Sequence, residues 1–181
     1  MSRLKEIYKK EVVPKMKEIF GYKNDLAVPK IEKVTLNIGI GKMLEKNPKI
    51  LEEAKNTLIK ITGQIPIETK AKKSISGFKV KKGKVVGLKV TLRGKRMYDF
   101  IDKLINVTLP RTRDFKGIPL SSFDKNGNLS LGFREQLIFP EINPQDVQII
   151  HGLQVTITTN AKTKKESIEL LRLFGFPIKK E

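Results

Sequence analysis

Three stretches of the chain alternate strictly between apolar and polar residues, and each predicts a half-buried strand. Over 31–39, Val34, Leu36 and Ile38 point one way and Lys33, Thr35 and Asn37 the other. Further on, Val86, Leu88, Val90 and Leu92 alternate with Gly87, Lys89, Thr91 and Arg93. The third stretch sets Leu153, Val155 and Ile157 against Gln154, Thr156 and Thr158. A shorter strand is expected over 65–69.

Helical spacing fills the intervals. Leu4, Ile7, Tyr8, Val12, Met16, Ile19 and Phe20 predict an amphipathic helix over 2–20, kinked by Pro14 and stopped by Gly21. Asn47-Pro48 reads as a capping residue and a first-turn proline, opening a helix with Ile50, Leu51, Ala54, Leu58 and Ile61 as its stripe and Gly63 as its end. Met97, Phe100, Ile101, Leu104 and Ile105 predict another helix, ending before Pro110. Thr163 and Glu166 form a capping box for a last helix, with Leu170, Leu171 and Phe174 apolar and Gly175 as the stop. Residues 111–150 read as a loop-rich region with a hairpin at Asn126-Gly127.

After the first helix the order is β-α-β-β-α-β-α, the split βαβ pattern. It predicts an α+β sandwich with a mostly antiparallel sheet and helices on one face. The chain is expected to form one domain over 1–181. Within it are an N-terminal helix (1–22), a protruding mobile basic loop (72–84) and a loop and hairpin region (111–150).

Charge changes this picture. The 181 residues carry 37 Lys and Arg against 19 Asp and Glu, a formal charge of +18. An excess of that size repels itself in a compact protein and implies a polyanionic partner, nucleic acid first. Hydrophobic residues make up 39%, enough for a folded core and so not a disordered basic tail. There is no Cys, which excludes disulfides, thiolate metal sites and a thiol nucleophile. No apolar run reaches the roughly 18 residues of a membrane span. The frequent charges near the N-terminus are unlike a secretory signal. A cytoplasmic protein that does not engage a membrane is expected.

The polar strand faces offer the first candidate chemistry. Thr35, Asn37, Lys89, Thr91, Arg93, Gln154, Thr156 and Thr158 supply hydroxyl, amide and cationic groups suited to phosphates, ribose hydroxyls and base edges. The faces lack aromatic residues, so base stacking in the manner of an RNA recognition motif is not expected there. The alternative is an ordinary solvated sheet face. A second feature is sharper. No acid occurs between Glu68 and Asp99, while Lys70, Lys72, Lys73, Lys79, Lys81, Lys82, Lys84, Lys89, Arg93, Lys95 and Arg96 all do. Ser74, Ser76, Gly77 and Gly83 make the first half of this block adaptable. Phe78, ringed by Lys, is placed to stack on a base or ribose. Arg111 and Arg113 are two guanidinium forks suited to phosphates. Arg134 and Glu135 are read as a structural pair.

Enzymatic readings are weak. Gly39-Ile40-Gly41-Lys42 follows a strand but has Leu44 where a dinucleotide fingerprint needs its third glycine, and it lacks P-loop spacing. His151, the sole histidine, is read as a surface or hydrogen-bonded structural residue without a metal partner. Asp99 and Asp102 belong to a helix's solvent face. No cofactor or metal is expected.

Several segments resemble one family in order along the chain. They are Pro29-Lys30-Ile31-Glu32-Lys33-Val34 running into Asn37-Ile38-Gly39-Ile40-Gly41, then Ile61-Thr62-Gly63-Gln64, Lys70-Ala71-Lys72-Lys73-Ser74-Ile75 and Gly87-Leu88-Lys89-Val90-Thr91-Leu92-Arg93. Pro110-Arg111-Thr112-Arg113-Asp114-Phe115, Arg134-Glu135-Gln136-Leu137-Ile138-Phe139-Pro140-Glu141-Ile142 and Phe174-Gly175-Phe176-Pro177 complete the set. Together they resemble the bacterial and organellar branch of the large-subunit ribosomal protein L5 family, which binds 5S ribosomal RNA. The pattern departs from the family's at Thr112, where an aliphatic residue is usual. It departs again at Lys125-Asn126-Gly127-Asn128-Leu129, where Gly-Arg-Gly-Asn-Tyr is usual.

The resemblance implies a non-catalytic constituent of the large ribosomal subunit, in its central protuberance. Residues matching Asn37, Gln64 and Thr91 contact 5S rRNA in that family, and the loop matching 72–84 reaches P-site tRNA. Contacts with 23S rRNA, neighbouring central-protuberance proteins and a small-subunit head protein are implied too. Residues and resemblance together nominate Thr35, Asn37, Gly39, Gln64, Lys70, Lys72, Lys73, Ser74, Lys89, Thr91, Arg93, Arg111 and Arg113 for 5S rRNA. They nominate Ser76, Phe78, Lys79, Lys81, Lys82 and Lys84 for tRNA. A cytoplasmic ribosome is expected ahead of an organellar one. The alternative function is a basic RNA-modifying enzyme of similar fold, which would need a pocket with convergent polar groups and a perturbed titratable residue.

Overall fold

A computed structural model describes residues 2–78, 80–113 and 115–179, except for the side chains of Lys46 and Phe78. The strands are β1 (Ile31–Gly39), β2 (Ile67–Lys70), β3 (Val85–Leu92), β4 (Leu129–Phe133) and β5 (Leu153–Thr159). They form one sheet in the order β2-β3-β1-β5-β4. The helices are α1 (Arg3–Ile7), α2 (Val13–Phe20), α3 (Gly41–Lys46), α4 (Ile50–Thr62), α5 (Gly94–Lys103), α6 (Leu109–Arg111) and α7 (Lys164–Leu173). The class is the α+β class that the alternating and helical patterns predict.

Two compact units arise from discontinuous stretches. One comprises Met1–Val34, Leu92–Leu131 and Thr156–Glu181; the other comprises Thr35–Thr91 and Gly132–Val155.

In the first unit, the N-terminal helical stretch runs unbroken from α1 to α2 through a π-turn at Tyr8–Val12. The Val13 N–H bonds back five residues to the Tyr8 carbonyl. The same device recurs at Leu104–Thr108, where the Leu109 N–H reaches the Leu104 carbonyl. Each π-turn ends two residues before a proline, Pro14 or Pro110. Proline lacks a donor and its ring collides with a carbonyl one turn back. Widening the preceding turn accommodates both defects. The helix expected to end before Pro110 therefore continues to Arg111.

Tyr8 stacks on Phe174 with ring centroids 5.8 Å apart. Its hydroxyl donates to the Pro29 carbonyl at 3.1 Å. Burial first, and Tyr98 nearby, push the Tyr8 pKa up to about 12. Helix α7 starts at the predicted capping box: Thr163 Oγ1 accepts the Glu166 N–H, and the Glu166 carboxylate accepts the Thr163 N–H. The Asn126-Gly127 hairpin signal marks a turn knotted by Asp124, whose carboxylate accepts the N–H groups of Asn126 at 2.9 Å and Asn128 at 2.7 Å.

In the second unit, Leu36 and Ile38 of β1 and Leu88 and Val90 of β3 are buried, as are Ile50, Ala54, Leu58 and Ile61 of α4. Helix α4 begins at Ile50, not at Pro48; the Asn47 side chain accepts the Lys49 N–H at 3.0 Å in a turn before it. Helix α3 and strand β4 lie outside the elements that the patterns predict. β2 pairs antiparallel with β3, Ile67 opposite Lys89 and Thr69 opposite Gly87. As an edge strand it is not half-buried; Ile65 and Ile67 are 72% and 68% exposed. Among the described residues, no helix is long and apolar enough to cross a membrane.

Candidate nucleic-acid interface

The candidate surface of the second unit is built on β1 and β3, neighbours in the sheet. Strand alternation buries Leu36, Ile38, Leu88 and Val90 and turns Thr35, Asn37, Lys89 and Thr91 to the opposite face. Lys89 is exposed, whereas Thr35, Asn37 and Thr91 are half-buried. None of these three side chains has a hydrogen-bond partner among the described residues. Their polar atoms are not among the buried ones left without a partner, so they remain open to solvent and free to bond an outside partner.

Gln64 joins this row from the end of α4. Gly63, at φ 67°, ends the helix in the left-handed conformation. Thr62 Oγ1 then donates to the Leu58 carbonyl at 2.6 Å and accepts the Gln64 N–H at 3.2 Å. That clasp directs the Gln64 side-chain amide to the Thr91 carbonyl, 3.4 Å away. Gln64 and Thr91, 27 residues apart, are thus held together.

The basic block extends from the same sheet edge. Ala71 and Lys84 pair through an N–H···O bond of 2.9 Å, and Ile75 and Val80 exchange bonds of 2.9 and 3.2 Å. Ser74 Oγ accepts the Lys82 N–H at 2.9 Å. The loop is therefore a hydrogen-bonded hairpin arm with a short 3-10 turn at Ser76–Phe78. Lys70, Lys72, Lys73, Ser74, Ser76, Lys81 and Lys82 are exposed along it. Lys84 is different: it is half-buried and bonds Glu45 of α3 at 2.7 Å, a partner that no sequence spacing signals. Lys79 and the Phe78 side chain lie outside the described residues.

Beside the arm opens a groove of about 850 Å³, lined by Gly39, Gly41, Lys42, Met43, Glu45, Ala71, Lys72, Lys73, Ile75, Val80 and Val86. A smaller cavity of about 270 Å³ includes Glu53, Lys60, Gln136, Asp146 and His151 in its wall. His151 is neither at the surface nor bonded through its ring, contrary to expectation. It is 2% exposed, and neither ring nitrogen has a partner among the described residues. Burial holds its pKa below the ordinary value despite an opposing backbone contact with Gly152, so the ring is neutral. Arg134 and Glu135, read as a pair, are both exposed and form no ion pair among the described residues. Gln154 is exposed, as expected.

The first unit carries the remaining candidates separately. Arg93 donates to the Glu32 carbonyl at 3.5 Å; Arg111 and Arg113 are both exposed, on either side of the half-buried Thr112. Thr158 is half-buried, while Thr156 is engaged by Ser130, hydroxyl to hydroxyl at 3.2 Å. Among the described residues no cluster of His, Asp and Glu could hold a metal ion.

A basic α+β protein with a polar sheet face open to solvent and a cationic arm has the surface of an RNA-binding protein. Comparison with known proteins places it in one family. Residues 24–81 match the family model described as "Ribosomal protein L5", and residues 85–178 match the model for the C-terminus of the same ribosomal family. The protein named "Large ribosomal subunit protein uL5" in Caldanaerobacter subterraneus subsp. tengcongensis is 57% identical, over 99% of this chain and 100% of the relative. The protein of the same name in Carboxydothermus hydrogenoformans is 54% identical over 98% of both chains. That of Streptococcus agalactiae is 54% identical over 99% of both. The chain belongs to the ribosomal protein L5 family, a family of structural ribosomal proteins and not of enzymes. The RNA-modifying-enzyme alternative is thereby set aside.

Proposed function

We propose that this chain is a structural constituent of the large ribosomal subunit that anchors 5S rRNA in the central protuberance. The observation that carries the reading is the row of half-buried, unpaired side chains Thr35, Asn37 and Thr91, with Gln64 fastened alongside. A rigid sheet presents these groups without ordering cost, and exposed Lys70, Lys72, Lys73 and Lys89 supply phosphate contacts around them. Arg93, Arg111 and Arg113 of the first unit add guanidinium forks for 5S or 23S rRNA. The hydrogen-bonded arm bearing Ser76, Lys81 and Lys82 touches P-site tRNA. Its exposed lysines are each weak contacts, which lets that partner leave quickly. Neighbouring proteins of the protuberance and a protein of the small-subunit head complete the partners, on a cytoplasmic ribosome.

The test is substitution inside the row. Asn37→Ala and Thr91→Ala should each weaken 5S rRNA binding by about 1–3 kcal/mol, the range for leaving a buried polar group without its partner. Melting temperature should stay at the wild-type value. Variants that bind 5S rRNA as tightly as wild type would remove the sheet face from the interface.

A further inference from the structure

Two glycines of the sheet are glycine for different reasons. At Gly87, an added Cβ would stand 2.5 Å from the Ile38 carbonyl oxygen, so the fold itself excludes a side chain. At Gly39, an added Cβ would meet no heavy atom within 4 Å, and the residue is not in the left-handed region. Nothing among the described residues requires glycine there. A glycine inside a strand often marks a bulge, a bend or a place where a ligand comes close.

Gly39 shares the face of Thr35 and Asn37 by alternation, and it lines the groove beside the arm. The groove is apolar along Met43, Ala71, Ile75, Val80 and Val86; Met43 and Ile75 are 37% and 51% exposed. Cations stand at its rim: Lys72 and Lys73 are both exposed. The carboxylate on its lining, Glu45, is neutralised by Lys84 at 2.7 Å. At about 850 Å³ it lies within the roughly 300–1,000 Å³ typical of sites for small organic molecules. An apolar trough bordered by cations, continuous with a polar face, matches a flat apolar base carried between two phosphates.

We propose that this groove takes an unpaired nucleobase extruded from the bound RNA, with Gly39 as the opening and Lys72 and Lys73 on the flanking phosphates. The proposal rests on the RNA-binding reading above and names the element of RNA that this part of the surface takes. The faces of a base meet no aromatic partner on the polar strand face, so the groove supplies the apolar contact that the row lacks. Single-stranded, splayed bases are the usual target of sequence-specific RNA recognition.

The experiment fills the groove without changing charge. Gly39→Leu places an aliphatic side chain in the open space and keeps every cation. Binding of a 5S rRNA transcript is measured across salt concentrations for wild type, Gly39→Leu and Lys72→Ala/Lys73→Ala, with circular dichroism as the folding check. Gly39→Leu should lose about tenfold in affinity, the order expected when the apolar burial of one base is denied. Its slope of log affinity against log salt should match wild type. The double lysine variant should instead show a slope shallower by about 1.4–1.8. In transcripts carrying 2-aminopurine at single unpaired positions, one position should change fluorescence with wild type and not with Gly39→Leu. A folded Gly39→Leu with wild-type affinity overturns the groove assignment while leaving the 5S reading standing. Should Gly39→Leu misfold, the 2-aminopurine series with wild type decides alone, and no responsive position overturns the proposal. A photo-crosslinker at Met43 that captures protein instead of RNA in assembled ribosomes also overturns it. Failure of wild type to bind 5S rRNA at all would overturn both readings.

Discussion

Replacing Gly87 with Ala adds one carbon where the sheet has no room for it. The new Cβ would lie 2.5 Å from the Ile38 backbone oxygen and 3.0 Å from Thr69 Oγ1. The Thr69 hydroxyl can rotate away. The Ile38 oxygen is fixed in the backbone of the neighbouring strand, so β3 must draw back from β1. Overpacking of this kind costs about 1–3 kcal/mol. For a chain of this size each kcal/mol moves the melting temperature by about 2–4 °C, so Gly87→Ala should melt roughly 2–12 °C below wild type. Gly39→Ala is the matched control: the same added carbon, in the same sheet, with nothing within 4 Å. It should melt within about 2 °C of wild type, because a surface substitution without a clash stays within about 0.5 kcal/mol. Thermal melts followed by circular dichroism compare the two directly. Equal melting temperatures for the two variants would refute the claim that close strand approach is what makes residue 87 glycine.

Two further outcomes follow from the same geometry. His151 is buried and its pKa is held below 6.5, so the unfolded chain takes up a proton first as pH falls. Stability should be full above about pH 6.5 and decline below it, by at most about 1.4 kcal/mol per pH unit from this group; urea unfolding at stepped pH should show that decline in wild type and lose it in His151→Phe. On the arm, Lys81→Ala/Lys82→Ala should leave the fold and most 5S affinity in place while reducing crosslinking of ribosomes to P-site tRNA; loss of 5S binding with the tRNA crosslink retained would mean the two surfaces are exchanged.

Much of this architecture is legible in the residues because period-two alternation is a strong signal. The runs through Leu36-Asn37-Ile38 and Leu88-Lys89-Val90 define both the buried face and the open polar one, and the Thr163–Glu166 box places the start of α7. The misses have physical causes. Pro110 reads as a helix end because a single sequence does not reveal that a π-turn can absorb it. Helix α3 is preceded by Ile40 at its N-cap position, whose side chain caps nothing, so no start signal exists. Leu129, Leu131 and Phe133 do alternate, but β4 is five residues long and lies among turn residues that dominate the local pattern. The approach of Gln64 to Thr91 is a consequence of where α4 ends relative to β3, and no spacing rule encodes it. The burial of His151, beside an exposed glycine, is likewise a tertiary outcome.

The central claim is selective recognition of 5S rRNA by a charged sheet face, and competition binding across a salt series tests it most directly. The full chain is titrated with a 5S rRNA transcript and with an unrelated structured RNA of equal length, each at several salt concentrations. Engagement of Lys70, Lys72, Lys73 and Lys89 with phosphates predicts a log–log slope of magnitude about 2.8–3.6 for 5S rRNA. It also predicts tighter binding to 5S rRNA than to the control at every salt concentration, because the row around Asn37 and Thr91 reads more than charge. Equal affinity for the two RNAs, or affinity for 5S rRNA that does not change with salt, would contradict the account.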